Sequence, residues 1–316
     1  MRILVTGAAG FVGRWLLPLL LDEGHDIAAT RMPGEGIPER VGAGAPSARW
    51  QFLDLSDPAS VQEALADEPD AVVHLAALAS GADARRDPGL AWEVNAAGTA
   101  RLANLLGEQR SAGRTDPLLL LVSTAEVYGV GDTHAPRRED ECPAPISPYA
   151  SSKLGAEVAA LEVARRTGLR VVIARSFPHT GPGQSDRYVV PAFARRLRAA
   201  RRLGAPTVKT GNLEPVRDFL DVRDVVAAYA ALLRHGESGA VYNVASGTGY
   251  SLQDVFGRLA RIIGVNATPE VVPEFTRTAD LPHLVGDPSR THAATGWSPR
   301  IPFDQTLQDV VDAQTD

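Results

Sequence analysis

Cysteine is almost absent from the sequence, and its scarcity excludes several kinds of site. Cys142 is the single cysteine among 316 residues, so the chain can form neither an internal disulfide nor a cysteine metal site. No residue near Cys142 in the sequence suggests a base that would activate it as a nucleophile. We therefore interpret Cys142 as a structural residue, and we predict no metal.

The sequence also lacks long apolar runs and an excess of positive charge. No run reaches the roughly 18 residues of a membrane span, so no membrane association is expected. The formal net charge is −6, which gives no reason to expect a nucleic-acid partner. Residues 1–5 run directly into a predicted strand and leave no room for a signal peptide, so a cytoplasmic protein is expected.

Short apolar runs alternate with longer helical patterns over the first 176 residues. The predicted strands are Ile3–Val5, Asp26–Ala29, Trp50–Leu53, Ala71–Leu75, Leu118–Ser123 and Val171–Ala174, and the predicted helices cover residues 11–23, 58–66, 88–110 and 149–167. This alternation predicts an α/β fold with a Rossmann doubly wound parallel sheet, covered by helices on both faces.

Proline and glycine become frequent after residue 177, and the regular alternation is lost. We therefore predict two regions. Residues 1–176, with parts of 218–248, form a Rossmann domain. Residues 177–217 and 249–316 form a smaller C-terminal substrate-binding region.

A glycine-rich turn follows the first predicted strand and opens the first predicted helix. Gly7 permits the tight turn, Gly10 lets the backbone approach a pyrophosphate, and Gly13 allows close packing of helix on sheet. The N-terminus of the helix, at Phe11 and Val12, then offers N–H groups to the anion. This context predicts a bound dinucleotide, so the Rossmann domain over residues 1–176, with parts of 218–248, is expected to bind NAD(P).

The end of the second predicted strand bears on the choice of cofactor. A carboxylate there would bind the ribose 2′-OH of NAD, but the sequence has Arg31, which could pair with a 2′-phosphate. We therefore favour NADP(H), with NAD(H) still possible and Arg31 as a plain surface residue the alternative. Asp54 and Leu55 follow the third strand, where the Asp54 carboxylate could accept a hydrogen bond from the adenine amino group. The alternative is a helix N-cap at Asp54 or Asp57.

Tyr149 and Lys153 lie four residues apart at the start of a predicted helix and therefore share one face. An ammonium beside a phenol lowers the pKa of the phenol, which lets the tyrosine exchange a proton with a substrate oxygen near neutral pH. Ser123 and Thr124 end the fifth strand, and a hydroxyl there would face the same crevice. These elements predict a catalytic site.

Together, these motifs resemble the extended short-chain dehydrogenase/reductase superfamily over nearly the whole chain. The resemblance includes the glycine loop, residues 74–77 (His-Leu-Ala-Ala), Asn95 with Gly98 and Thr99, and the Tyr149 and Lys153 pair. The C-terminal half, through residues 179–184, 188–191, 211–219, 277–280, 284–287 and 296–299, is similar to GDP-6-deoxy-D-mannose reductases (GDP-4-keto-6-deoxy-D-mannose reductases), with GDP-mannose 4,6-dehydratases as close relatives.

The resemblance implies roles for individual residues. Thr124, Tyr149 and Lys153 would form the catalytic triad, with Glu126 as a further catalytic candidate. The cofactor contacts would be Gly7, Gly10, Phe11, Val12, Gly13, Arg31, Asp54, Leu55, Leu75, Ala76, Ala77, Asn95, Tyr149, Lys153 and Phe177. The substrate contacts would be Ser80, Thr124, Glu126, His179, Val190, Arg195, Asn212, Arg217, Arg277 and Asp280. Of these, Arg217 and Arg277 would bind the diphosphate, because a guanidinium fork suits phosphate oxygens.

Two positions depart from the pattern of these relatives. Pro178 stands where they usually carry an asparagine that binds the substrate, and Leu78 stands where they commonly carry a glutamine. Proline has neither an amide side chain nor a backbone N–H, so another residue must take over the role of that asparagine if it is kept, and His179 is the candidate. Both changes border the expected sugar site.

The resemblance implies an NAD(P)H-dependent reductase of the 4-keto group of a nucleotide-linked 4-keto-6-deoxy sugar. GDP-4-keto-6-deoxy-D-mannose would be the substrate and GDP-6-deoxy-D-mannose (GDP-D-rhamnose) the product. A 4,6-dehydratase is an alternative, because Glu126 stands two residues after Thr124, where dehydratases carry the carboxylate that abstracts a proton. A nucleotide-sugar 4-epimerase is a third, and a non-catalytic NADP-binding sensor is disfavoured because the triad is intact.

A homodimer is expected from the two long predicted helices over 88–110 and 149–168, which commonly pair across a two-fold axis in this superfamily. Leu102, Leu105 and Leu106 could supply an apolar stripe for that contact. The alternative is that these leucines pack onto their own sheet.

Overall fold

The predicted strands assemble into one central parallel sheet. In the computed structural model, which describes residues 1–37, 48–132, 135–275 and 281–314, the strands are β1 (Arg2–Thr6), β2 (Asp26–Arg31), β3 (Arg49–Phe52), β4 (Ala71–His74), β5 (Leu118–Thr124), β6 (Arg170–Ser176), β7 (His179–Thr180), β8 (Thr207–Thr210), β9 (Val216–Asp218), β10 (Leu220–Asp221), β11 (Val241–Val244), β12 (Gly249–Ser251), β13 (Thr268–Val271) and β14 (His283–Leu284). In these ranges a seven-stranded sheet has the order β11-β6-β5-β4-β1-β2-β3. Every neighbouring pair in it is parallel, which confirms the predicted fold class.

Helices connect the strands and cover both faces of the sheet. They are α1 (Phe11–Asp22), α2 (Pro58–Ala64), α3 (Gly81–Arg86), α4 (Pro88–Ala91), α5 (Gly98–Ser111), α6 (Pro148–Thr167), α7 (Val189–Leu203), α8 (Val222–His235), α9 (Leu252–Ile263), α10 (Ser289–Thr295) and α11 (Phe303–Asp312). A π-helical turn spans Trp92–Ala97, and 3₁₀ turns span Ala125–Tyr128 and Pro273–Phe275.

The winding of the sheet reverses at β1. The chain moves outward from β1 through β2 to β3 and then returns to β4 on the other side of β1. In open parallel sheets a ligand binds beyond the carboxyl ends of the strands at such a reversal. The crevice beyond β1 and β4 is therefore the expected ligand site, and the glycine loop lies there.

Side chains leave the sheet in alternation and build one apolar core on each face. Ile3 and Val5 lie in the core formed with α1 and α8, whereas Leu4 lies in the core formed with α2, α5 and α6. Successive residues of a strand point to opposite faces, so an uninterrupted apolar strand serves both cores. Burial of each such side chain contributes about 1.5–3 kcal/mol, and the two cores hold the strand ends that carry the site.

The long helix predicted over residues 88–110 is interrupted. Its path runs through α4, the π-helical turn at Trp92–Ala97, and α5. A π turn inserts an extra residue into the helix and is frequent at functional sites. Asn95, a predicted cofactor contact, lies within this turn.

The C-terminal residues build a third apolar core from α7, α9 and α11, in which Phe193 packs edge-on against Phe256. Small sheets accompany it, with the strand orders β12-β9-β14 and β13-β8. β11 lies instead in the central sheet, beside β6. The proposed division between a Rossmann domain and a substrate-binding region stays a prediction.

Within the described ranges, no helix combines the length and the apolarity that crossing a membrane requires. The same ranges hold no group of three or more histidine, cysteine, aspartate or glutamate side chains arranged to bind a metal ion. Cys142 is exposed at the surface, and its interpretation as a structural residue stays a prediction.

Candidate active site

The glycine loop is built so closely that side chains cannot replace its first and third glycines. A Cβ on Gly7 would lie 2.8 Å from the backbone of Ala76, and the φ of Gly7 is +65°. A Cβ on Gly13 would lie 2.4 Å from the carbonyl oxygen of Ala8. These approaches are the ones expected for the tight turn and for the helix packing against the sheet.

The N-terminus of α1 fits the pyrophosphate of a dinucleotide. Gly10 precedes the helix without a side-chain cap, so no side chain competes for the first N–H groups, at Phe11 and Val12. Thr30 holds the loop in place, because its hydroxyl accepts from Gly7 N at 3.1 Å and its carbonyl accepts from Ala8 N at 2.9 Å. The role of Thr30 was not predicted from the sequence.

The turn after β2 contains a carboxylate that the sequence analysis did not identify. Glu35 folds back so that its Oε2 accepts from Met32 N at 2.9 Å. Arg31 donates to the backbone carbonyl of Glu35, and its guanidinium lies 4.4 Å from the ring centroid of Phe52. The end of β2 therefore carries both a cation and an anion, and not the arginine alone.

Asp57 takes the helix-capping role that the sequence left open between Asp54 and Asp57. Asp57 is the N-cap of α2 and accepts from Ala59 N. Asp54 accepts from the backbone N and the hydroxyl of Ser56, at 2.9 and 2.6 Å. Leu55 is buried, and α5 approaches it so closely that a Cβ on Gly98 would lie 2.7 Å from the Leu55 Cβ. The capping alternative therefore applies to Asp57, and adenine binding by Asp54 stays a prediction.

His74 at the end of β4 is a structural histidine. Its ring nitrogens bond to the hydroxyls of Thr6, at 2.8 Å, and Thr99, at 3.1 Å. Burial, with the nearby Lys153 ammonium as a smaller cause, lowers the pKa of His74 to about 3, so the ring is neutral. Thr6 also accepts from Ala76 N at 3.1 Å, which fixes the segment Leu75–Ala77 beside the glycine loop.

Asn95 joins three parts of the site. Its Oδ1 accepts from Leu78 N at 2.7 Å, and its Nδ2 donates to the hydroxyl of Ser152 at 2.9 Å. Ser152 directly precedes Lys153 on α6, so Asn95 ties the segment after β4 to the catalytic helix. The side chain is 1% exposed, which makes it a positioning residue. The departure at Leu78 does not disturb this bond, because Asn95 bonds to the backbone of Leu78.

Thr124, Glu126 and Tyr149 meet at the carboxyl end of β5. The Thr124 hydroxyl and the Glu126 carboxylate both lie near enough to the Tyr149 phenol to influence its pKa. Burial raises the pKa of Tyr149 above its usual value, and Glu126 raises it further, while Thr124 lowers it. The lowered pKa expected for Tyr149 is therefore wrong for this chain, because desolvation of the phenolate is the largest influence on it. Tyr149 is protonated at neutral pH.

Lys153 lies buried one helical turn after Tyr149. Burial lowers the pKa of Lys153 to about 8, and the carboxylate of Glu157, one further turn along α6, opposes that shift. The ammonium therefore stays mostly protonated at neutral pH and loses its charge as the pH rises above about 8.

A buried ion pair supports the catalytic elements from behind. Arg175 on β6 donates to both carboxylate oxygens of Glu157, at 3.1 and 2.8 Å, and both side chains are at most 5% exposed. The hydroxyl of Ser123, next to Thr124 on β5, also donates to Glu157. The Arg175 guanidinium lies 4.8 Å from the ring centroid of Tyr128. Sequence reasoning missed this cluster, although the spacing of Tyr149, Lys153 and Glu157 at i, i+4 and i+8 was a signal for it.

The segment after β6 places His179 against the glycine loop. The rings of His179 and Phe11 are stacked with centroids 6.4 Å apart. The Nδ1 of His179 lies 2.9 Å from the carbonyl oxygen of Phe177, so this nitrogen carries the proton and Nε2 is left as an acceptor. Phe177 is itself buried. His179 thus lies at the crevice, where a residue that takes over the role of the asparagine replaced by Pro178 would have to lie.

Several other predicted substrate residues are buried or bonded to other groups of the chain. Val190 is 1% exposed within the third core, so its side chain serves packing. Ser80 caps α3, Arg195 pairs with Asp186 at 2.9 Å, and the Asn212 side-chain carbonyl accepts from Glu214 N. Arg217 donates to the Val216 carbonyl among its contacts. Arg277 and Asp280 lie outside the described residues.

Asp218 is a further buried carboxylate that the sequence analysis did not identify. It accepts from the backbone N of Ser246, Gly247 and Gly286, and from the hydroxyl of Ser246 at 2.5 Å. Asp218 directly follows Arg217 on β9. This network fixes the strand that presents Arg217, so Asp218 is a positioning residue.

A glycine loop at the reversal of a parallel sheet, with Thr124, Tyr149 and Lys153 at the neighbouring strand end, defines an oxidoreductase of the extended short-chain dehydrogenase/reductase type. Residues 3–245 match the NAD dependent epimerase/dehydratase family, and the chain belongs to that family. The resemblance drawn from the sequence is thereby confirmed.

Individual relatives cover nearly the whole chain. A GDP-6-deoxy-D-mannose reductase from Pseudomonas aeruginosa is 36% identical over 312 residues, which are 98% of this chain and 96% of that protein. The structure of RMD from Pseudomonas aeruginosa complexed with NADPH has a TM-score of 0.82 and 35% identity, and covers 99% of this chain and 98% of its own. A Thermus thermophilus UDP-glucose 4-epimerase in complex with NAD has a TM-score of 0.86 and 32% identity, with the same coverage.

Proposed function

We propose that the protein reduces the 4-keto group of a nucleotide-linked 4-keto-6-deoxy sugar, with GDP-4-keto-6-deoxy-D-mannose as substrate and GDP-6-deoxy-D-mannose as product. The observation that carries this proposal is the position and state of Tyr149. Its side chain lies beside Thr124 at the end of β5, next to the glycine loop, and burial raises its pKa, so it carries its proton at neutral pH. Reduction of a keto group needs a proton donor at this point. The similarity to the Pseudomonas reductase supports the same reaction.

The residues of the site divide the work of such a reduction. NAD(P)H would supply the hydride to the keto carbon. Tyr149 donates its proton to the oxygen as negative charge develops there, and Thr124 hydrogen-bonds the same oxygen. The ammonium of Lys153 stabilises the phenolate that Tyr149 becomes. Arg217, and Arg277 by the sequence pattern, would bind the diphosphate of the substrate.

The cofactor is proposed to be NADP(H), with NAD(H) possible. The glycine loop accepts the pyrophosphate of either dinucleotide. Arg31 supports NADP(H), because a guanidinium without a carboxylate partner among the described residues suits a 2′-phosphate. The solved relatives include one with NADPH and one with NAD.

A 4,6-dehydratase is the second candidate, and Glu126 is the observation that favours it. Its carboxylate is close enough to Tyr149 to raise the pKa of the phenol, so it lies within the site and could abstract a proton. A dehydratase would then depend on Glu126, and a Glu126→Gln variant would lose the conversion of GDP-mannose.

An assay of purified protein separates these reactions. With GDP-4-keto-6-deoxy-D-mannose we expect stoichiometric oxidation of NADPH and formation of GDP-6-deoxy-D-mannose, distinguished from its C4 epimer by NMR spectroscopy. Conversion of GDP-mannose without added cofactor would instead identify a dehydratase. Interconversion of 4-epimers of a nucleotide sugar, again without added cofactor, would identify an epimerase, and either result would overturn the proposed reduction.

We also propose a homodimer formed through α5 and α6. The leucine stripe expected for this contact is wrong, because Leu102 and Leu106 are fully buried against their own sheet and Leu105 packs on the same core. The apolar surface lies instead on the other side of the helices, where a groove of about 700 Å³ is lined by residues that include Trp92, Pro145, Leu154, Gly155, Val158 and Val163. Trp92 and Val158 are 48% and 61% exposed in the single chain.

A charge in this groove is expected to separate the two subunits. Val158→Glu would bury a carboxylate without a partner at the centre of an apolar contact, which costs several kcal/mol. We expect the variant to elute as a monomer in size-exclusion chromatography with light scattering. Leu203→Glu is the matched control, because Leu203 is 74% exposed at the end of α7. A dimer that survives Val158→Glu, or a wild-type monomer, would contradict this interface.

The cytoplasmic location stays a prediction.

A further inference from the structure

We infer that Glu35 occupies the subsite for the 2′-phosphate of NADP(H) and competes with that phosphate, so that it restrains the preference that Arg31 alone would give. This inference rests on the proposed function, because it concerns the cofactor of the same site. Residues at the end of the second strand face the adenosine ribose in sheets of this type. Arg31, Met32 and Glu35 lie in the turn that follows that point.

The turn after β2 has the donors of an anion site. Met32 N is a backbone donor, and Met32 directly follows Arg31 in the chain. A backbone N–H beside an arginine is a typical arrangement for binding phosphate. The Oε2 of Glu35 accepts from Met32 N at 2.9 Å, so a negative group of the chain itself already fills one of these positions.

Arg31, the last residue of β2, is held beside this turn by partners that do not neutralise its charge. Its guanidinium donates to the backbone carbonyl of Glu35 and stacks on Phe52. Neither partner carries a formal charge, and no carboxylate forms an ion pair with Arg31 among the described residues. Arg31 therefore keeps its attraction for an anion, and the Glu35 carboxylate is held in the adjoining turn by Met32 N.

The two cofactors differ at the ribose 2′ position, where NAD(H) has a hydroxyl and NADP(H) a phosphate. A 2′-hydroxyl can approach Glu35 as a hydrogen-bond donor, so NAD(H) meets no repulsion. A phosphate with a charge near −2 must instead displace the carboxylate from Met32 N or bind beside it. Glu35 is exposed, so this displacement is possible but lowers the affinity for NADP(H). The chain should therefore discriminate less between the two cofactors than Arg31 suggests.

The test is Glu35→Gln, which keeps an oxygen acceptor for Met32 N and removes the charge. Isothermal titration calorimetry without sugar substrate would measure Kd for NADPH, NADH and adenosine 2′,5′-bisphosphate. We expect the variant to bind NADPH and the bisphosphate about tenfold more tightly, a change of about 1.4 kcal/mol, and NADH within about threefold of wild type. Glu63→Gln is the control, because it removes the same charge from the exposed surface of α2.

The outcomes separate this inference from the proposed function. If wild type binds both cofactors and Glu35→Gln leaves their ratio unchanged, the role of Glu35 is wrong. If the variant instead loses NADH affinity tenfold, Glu35 binds the ribose 2′-hydroxyl and the competition with phosphate is wrong. If wild type binds neither cofactor, both the proposed function and this inference fail. If Glu63→Gln tightened NADPH binding as much as Glu35→Gln, the effect would come from the net charge of the protein and not from the position of Glu35, which would also overturn the inference.

Discussion

Tyr149→Phe is expected to lower kcat for reduction of the 4-keto sugar by about 10²–10⁴-fold, because it removes the proton donor and keeps the ring. Tyr149, in the first turn of α6, lies beside Thr124 at the end of β5, and its raised pKa keeps the proton available at neutral pH. Without the hydroxyl, the oxygen that gains negative charge must take its proton from water. Cofactor binding should change little, because the glycine loop and the turn after β2 are untouched.

The measurement is kcat by NADPH oxidation under saturating substrate, with Kd for NADPH measured in parallel. Tyr242→Phe is the matched control, since Tyr242 packs in the core formed with α1 and α8 and its hydroxyl accepts from Glu237 N, away from the catalytic residues. A Tyr149→Phe variant that retained wild-type kcat would refute the assignment of the proton donor. A loss of NADPH binding equal to the loss of kcat would point to misfolding or to a binding role.

The pH dependence of wild-type kcat gives an independent check on Lys153. Its pKa is lowered to about 8 by burial, so the ammonium is present below that pH and is lost above it. Because the charge stabilises the phenolate formed when Tyr149 donates its proton, kcat for reduction should fall as the pH rises through about 8.

The sequence was sufficient for features that depend on local pattern. The glycine loop was predictable because the tight turn and the close helix packing each demand glycine at a fixed spacing, and Gly7 and Gly13 show both approaches. The parallel sheet followed from uninterrupted apolar strands alternating with helices. Tyr149 was recognisable because its partner Lys153 lies on the same helical face.

Features that depend on folding back or on long-range packing were not predictable in this way. Glu35 stands four residues after Arg31, and only the conformation of the turn brings its carboxylate to Met32 N. The direction of the Tyr149 pKa shift depends on burial, which the spacing of Tyr149 and Lys153 does not reveal. Val190 packs its side chain into the third core, which the motif did not reveal, and its substrate contact stays a prediction.

The cluster behind the catalytic residues leads to the second large prediction. Glu157→Leu and Arg175→Met, each made alone, are expected to lower the free energy of unfolding by about 3–5 kcal/mol, because each leaves one buried charge without its partner. The total stability of a typical protein is about 5–15 kcal/mol, so each single variant would be severely weakened. The geometry makes the pair strong, with Arg175 donating to both oxygens of Glu157 at 3.1 and 2.8 Å.

The double variant Glu157→Leu with Arg175→Met separates loss of a partner from loss of packing. Apolar residues of similar size can replace a buried ion pair with little cost, so the double variant should recover most of the stability in urea unfolding. Its kcat profile should nevertheless differ from wild type. Lys153 would lose the carboxylate that opposes its lowered pKa, so the fall in kcat should begin at a lower pH than in wild type. Single variants within about 1 kcal/mol of wild type would show that the pair contributes little, and an unchanged pH profile would show that Glu157 does not act on Lys153.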